Sequence, residues 1–110
     1  GKVYVRSGRK MVRVDLNRIL YIEAQKDYVR FVFDSGEPLL VHISMNRTEK
    51  MLPSAGFMRI HRSFIIQKSK VTGVRGSNVE LGSIVLPIGP LYQRDFNRYF
   101  KHNKNFHTAL

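Results

Sequence analysis

The chain has 110 residues, enough for one domain with a real core and too few for two. A hydrophobic share of 43% with seven Phe and five Tyr is a folding composition, and the lack of cysteine excludes disulfides and thiolate zinc sites. Nineteen Lys and Arg against eight Asp and Glu leave a net charge of +11, which favours polyanionic partners, nucleic acid first.

From the N-terminus, KVYVR (2–6) and KMVRV (10–14) alternate around the turn SGR and read as strands. DLNR (15–18) reads as a tight turn, since Asp15 can cap and Asn17 tolerates unusual dihedrals. ILYIEA (19–24) is apolar on both faces, the signature of a central strand covered on both sides. YVRFVF (28–33) and LLVHI (39–43) lie on either side of the turn DSGEP. In SMNRTEKML (44–52) Ser44 is placed to cap a short helix that Pro53 stops.

KVTGV (70–74), NVELG (78–82) and SIVLPI (83–88) complete the strands, with Pro87 expected at a sheet edge or strand end. PLYQRDFNRYFK (90–101) predicts a helix with Pro90 in its first turn. Its apolar stripe is Tyr92, Phe96, Tyr99 and Phe100, and Arg94, Arg98 and Lys101 lie opposite. Residues 101–110 are expected to be a tail. The fold class is mainly β, with small antiparallel sheets packed as an elongated sandwich and one or two short helices. The whole chain, 1–110, is one domain with its core at about 3–100.

One segment does not fit the alternation. In FMRIHRSFII (57–66), Ile60, Phe64 and Ile66 share a face, and an unbroken pleat would place Arg62 among them. An unpaired buried arginine is costly. Either Arg62 pairs with Glu23 or Asp27, or the pleat is interrupted and Arg62 turns outward, with His61 bracing the turn or touching a ligand itself.

Enzyme signatures are weak. His42, His61, His102 and His107 show no metal-ligand spacing, and His42 with His61 would be an acid–base pair only by spatial chance. No phosphate-binding loop or nucleophile motif occurs, so neither catalysis nor a cofactor is expected. Nucleic-acid binding has more support. Gln25, Lys26, His61 and Arg62 are of the types that read base edges. Arg30, Arg47, Arg59, Arg94 and Arg98 stand where strands and helices could set them around phosphates. The rival is a basic β-domain for RNA or a protein partner, although YVRFVF lacks the glycine of sheets that stack single-stranded RNA.

Three segments together carry a resemblance: IxYIEAxxxYV from Ile19, FxRIHRSFII from Phe57, and LPIGxxY from Leu86 into the last helix. Over about Val3 to Phe100 the chain resembles the LytTR family, the DNA-binding output domain at the C-terminus of many bacterial response regulators. The resemblance implies loops that enter successive major grooves of promoter direct repeats, with homodimers forming on double-stranded DNA. It also implies an N-terminal receiver domain outside this chain, a sensor histidine kinase acting through that receiver, a cytoplasmic location and no membrane partner.

Carried onto this sequence, the first contact loop is Gln25, Lys26, Asp27 and Tyr28, and the second is His61 and Arg62. The third is Gly89 and Pro90, where many members carry an arginine and this chain has no side-chain donor. Either the Gly89 N–H contacts phosphate, or Arg94 reaches in, or the third contact is weakened.

Overall fold

The computed structural model describes residues 1–101 and 107; the expected tail at 101–110 otherwise lies outside the described residues. Strands β1 (Lys2–Ser7) and β2 (Lys10–Asp15) form a hairpin, followed by a 3-10 turn at Leu16–Arg18. Asp15 caps that turn by accepting the Asn17 N–H at 3.0 Å. Then come β3 (Ile19–Gln25), β4 (Tyr28–Phe33), β5 (Leu39–Val41) and helix α1 (Met45–Met51). Ser44 caps α1 through its hydroxyl, which accepts the Arg47 N–H at 3.1 Å. Next are β6 (Phe57–His61), β7 (Phe64–Gln67), β8 (Gly73–Arg75), β9 (Asn78–Leu81) and β10 (Ile84–Pro87). A 3-10 turn at Pro90–Tyr92 leads into α2 (Gln93–Lys101).

The centre is a five-stranded antiparallel sheet in the order β5-β4-β3-β7-β6, with core on both of its faces. Ile22, Val29, Phe31 and Ile65 pack on one side against Val5 and Val14 of the β1–β2 hairpin. Tyr21, Phe64, Ile66 and Ile60 pack on the other against Val79, Leu81 and Leu86 of the three-stranded β10-β9-β8 sheet and Phe96 of α2. Successive side chains of a strand point to opposite faces, so the continuous apolar reading of ILYIEA results from this two-sided cover. The expected mainly β sandwich with short helices is present, and it is elongated at 53 × 24 × 23 Å. Among the described residues, no helix is long and apolar enough to cross a membrane.

Two local differences from the sequence expectation matter. KVTGV forms a strand only from Gly73, because Lys68–Lys70 close a 3-10 turn with the Val71 N–H on Lys68 O at 3.3 Å. The interruption expected within FMRIHRSFII, with Arg62 outward, is present and goes further than a break in the pleat, since the segment folds back as a hairpin. His61 pairs with Phe64, and Arg62 and Ser63 form the reversal between β6 and β7. A bulge between Arg59 and His61 adds a residue on β6, which keeps Ile60 in the core while re-aiming the residues after it. Pro87 ends the edge strand β10, as expected.

At the far end of β7 the buried Gln67 amide donates to Leu16 O at 3.0 Å and Ile19 O at 2.6 Å, tying the start of β3 to the preceding turn. Leucine would keep the volume and leave both carbonyls without this donor. Gln67→Leu is expected to cost about 1–3 kcal/mol of stability, seen as a lower urea midpoint with an unchanged slope.

Candidate nucleic-acid interface

Three chain reversals lie side by side at one end of the central sheet. β3 turns into β4 through Lys26 and Asp27, with Gln25 paired to Tyr28. Beside it, β6 turns into β7 through Arg62 and Ser63, and the Ala24 N–H donates to Ser63 O at 2.9 Å, joining the two reversals. The third is the corner entering α2. The Gly89 N–H donates to Ile60 O at 2.8 Å, and the Tyr92 N–H closes on Gly89 O at 2.9 Å. Sequence positions 26, 62 and 90 thus converge on one edge although they are far apart along the chain.

Arg59 holds both carbonyls at the Arg62 reversal. The Arg59 guanidinium donates to Arg62 O at 2.6 Å and His61 O at 3.3 Å. Its other branch donates to Asn46 Oδ1 at 2.7 Å and Glu49 Oε1 at 3.2 Å on α1. This side chain is only 12% exposed, so its donors face protein oxygens. His61 accepts the Ser63 N–H on Nδ1 at 3.0 Å and lies against the Phe64 ring at 5.4 Å between centroids. With Nδ1 accepting, the neutral ring carries its proton on Nε2. The backbone of the turn is thereby satisfied from within, while the Arg62 side chain is exposed and in no ion pair among the described residues. It does not pair with Glu23 or Asp27.

The Lys26 reversal is built differently. Lys26 stands at φ +54°, the left-handed region that non-glycine residues seldom adopt. Gln25, Lys26, Asp27 and Tyr28 are all exposed, and Tyr28 leans on His42 with ring centroids 5.0 Å apart. Glu23 is already occupied by Arg30, its cross-strand partner, at 2.8 Å. The hydrogen bond that Arg30 donates to Glu23, opposed by burial and reinforced by the Glu23 charge, holds the Arg30 pKa above its ordinary value.

The remaining residues expected at the interface divide by geometry. Arg47, Arg94 and Arg98 are exposed; Arg94 is in the first turn of α2, and Arg98 is a turn further from the edge. Arg59 spends its fork on protein oxygens, and Arg30 turns Nε and Nη2 to Glu23 Oε1. Gly89 is a correction: it is buried and its N–H is committed to Ile60, so it has no backbone donor left for phosphate. Arg6 was not anticipated. It is exposed and lines a cleft with Tyr4, Val41, His42 and Arg47, beside Tyr28. Hairpin alternation marks Arg6 as outward-facing but cannot say which neighbour it meets.

These placements make the edge electropositive. At this end Glu23 is paired with Arg30 and Glu49 with Arg59, Asp27 is an exposed carboxylate in no ion pair, and the Lys26, Arg62, Arg47 and Arg6 side chains likewise make no ion pair among the described residues. Such a rim suits a polyanion, with forked donors at its tips. No group of three His, Asp or Glu residues is placed to hold a metal among the described residues. Phe31 is fully buried, so β4 offers no aromatic platform there for stacking single-stranded bases.

Two stability measurements check this local arrangement. Arg59→Lys keeps the charge and loses the planar fork, and is expected to cost about 1–3 kcal/mol in chemical denaturation. Lys26→Gly removes the strained side-chain geometry and is expected to hold or raise stability by up to about 1 kcal/mol.

The chain matches the LytTr DNA-binding domain family over residues 9–101. Among solved structures it is similar to the LytTr DNA-binding domain of a protein described as a methyl-accepting/DNA response regulator from Bacillus cereus. The TM-score is 0.74 at 19% identity, covering 88% of this chain and 94% of that one, so the likeness speaks for the fold. No curated protein matches the chain. With the family match spanning most of its length, the chain belongs to the LytTr DNA-binding domain family.

Proposed function

We propose that this domain binds double-stranded promoter DNA sequence-specifically, as the output module of a bacterial response regulator. The observation that carries the reading is the row of exposed basic tips on rigid turns at one sheet end, above all Arg62 on its Arg59-locked reversal. Arg62 and Lys26 read base edges in the major groove, where a forked arginine addresses guanine O6 and N7 and lysine the same acceptors. Gln25, Asp27 and Tyr28 line the first tip, and His61 braces the second.

Arg47 and Arg94 contact phosphates beside this row, Arg98 contacts them from further back on α2, and Arg6 joins Arg47 at the outer end. Arg59 acts through the turn it holds, as a positioning residue. In this reading the tips enter successive major grooves of the duplex.

The wider assembly is that of the family. The domain pairs as a homodimer on direct repeats, and an N-terminal receiver controls it, addressed by a sensor histidine kinase in the cytoplasm. No catalytic step and no cofactor enter this reading. Binding to RNA or to a protein is the alternative, and the buried Phe31 argues against the stacking mode of RNA recognition.

Arg62→Ala is expected to cost about 1–3 kcal/mol on a selected site and to spare nonspecific duplex binding, as measured by fluorescence anisotropy. Equal loss on all duplexes would reassign Arg62 to phosphate, and a preference for single-stranded RNA would sink the DNA reading. Neutralising Arg6 and Arg47 with glutamine should weaken binding across sequences and flatten the log–log salt dependence by about 0.9 per lost phosphate contact.

A further inference from the structure

The third corner of the row has no polar side chain to offer. Gly89 has none, its N–H is consumed by Ile60 O at 2.8 Å, and Pro90 has no N–H. Leu91, the next residue, is 93% exposed, more than any other large hydrophobic side chain among the described residues. Its neighbours fix the corner from behind. A Cβ on Gly89 would lie 3.2 Å from the Tyr92 ring and 3.5 Å from His61 Cδ2, so the corner is pressed against the base of the Arg62 reversal. Tyr92 packs on the core that holds the buried Phe96. The result is an exposed apolar side chain on a backbone corner held from behind, on an edge whose other tips, Lys26 and Arg62, are cationic, with exposed Arg94 after it on α2.

Single exposed apolar residues are common and need no purpose. Here position and chemistry agree on one. A duplex presents phosphates, sugars and polar base edges. The apolar group it projects into the major groove is the C5 methyl of thymine, which apolar side chains contact. A leucine on the same edge as a base-reading arginine has the chemistry for that group and for no hydrogen-bonding base edge.

We propose that Leu91 is a specificity-determining residue that recognises a thymine methyl in the major groove, so that the third contact of this domain is apolar. This rests on the DNA-binding reading above and adds to it which base is read, and how.

The test uses a duplex selected for tight binding, in which each thymine in turn is replaced by deoxyuridine. That change removes only the methyl group and keeps the pairing. Wild-type protein and Leu91→Ala are compared by anisotropy on each probe; at 93% exposure the substitution leaves the core intact.

At one thymine position, wild type is expected to lose about fourfold in affinity, the factor corresponding to ~0.8 kcal/mol for one methyl-sized apolar group. Leu91→Ala should be weaker than wild type on the parent duplex and show no further loss on that deoxyuridine probe. If no position separates wild type from the variant, or if Leu91→Ala weakens binding while every deoxyuridine probe behaves like the parent, the inference is overturned. A wild-type domain that shows no preference among duplexes would instead refute the sequence-specific reading itself.

Discussion

The recognition edge depends on one guanidinium. Arg59 grips the carbonyls of His61 and Arg62 with one side of its fork and reaches Asn46 and Glu49 of α1 with the other. A two-residue reversal has few internal bonds of its own and would otherwise sample several conformations. Tying its carbonyls to a helix removes that freedom before any ligand arrives, so less ordering entropy is lost on binding. Arg59 and Arg62 stand three residues apart with opposite fates. One is buried among acceptors to make the other available.

The central sheet supplies the base for this arrangement. Because both of its faces are covered, its strand ends are fixed by two cores at once. Neighbouring strands lie about 4.8 Å apart, so reversals at adjacent strand pairs fall into a row without further design. The bonds from Ala24 to Ser63 and from Gly89 to Ile60 then lock the three tips into one body. Among the described residues Lys26 is the non-glycine residue with positive φ, and it is held by the tight pairing of Gln25 with Tyr28. Left-handed geometry at a lysine, where asparagine or glycine would be easier, points to a demand on the side chain over the backbone.

Much of the fold was legible because its signals are local. Alternation marked the strands, Ser44 and Pro53 bounded α1, and the two-faced apolar run at 19–24 announced the central strand. The misfit of Arg62 was legible too, since alternation at Ile60, Phe64 and Ile66 left it no place in the core. That the segment folds as a hairpin was hidden, because neither Arg-Ser nor its flanks carry the glycine or asparagine that usually announces a two-residue turn.

The role of Arg59 was equally hidden in the sequence. It depends on Asn46 and Glu49, which share a helix face at a spacing of three and meet Arg59 only through tertiary packing. The same holds for Arg6, whose neighbour Arg47 is set by how the β1–β2 hairpin packs on the central sheet. Gly89 looked like a phosphate donor because its lack of a side chain was visible while its bond to Ile60 was not.

The most direct test of the account is an amide chemical-shift titration of the domain with a selected duplex. The largest perturbations are expected at residues 25–28, 61–63 and 89–92, with smaller ones at Arg6 and Arg47. The opposite end around Gly56 and Lys68–Lys70 should be unmoved. Perturbations concentrated at that opposite end, or on the outer face of α2 with the three reversals silent, would contradict it.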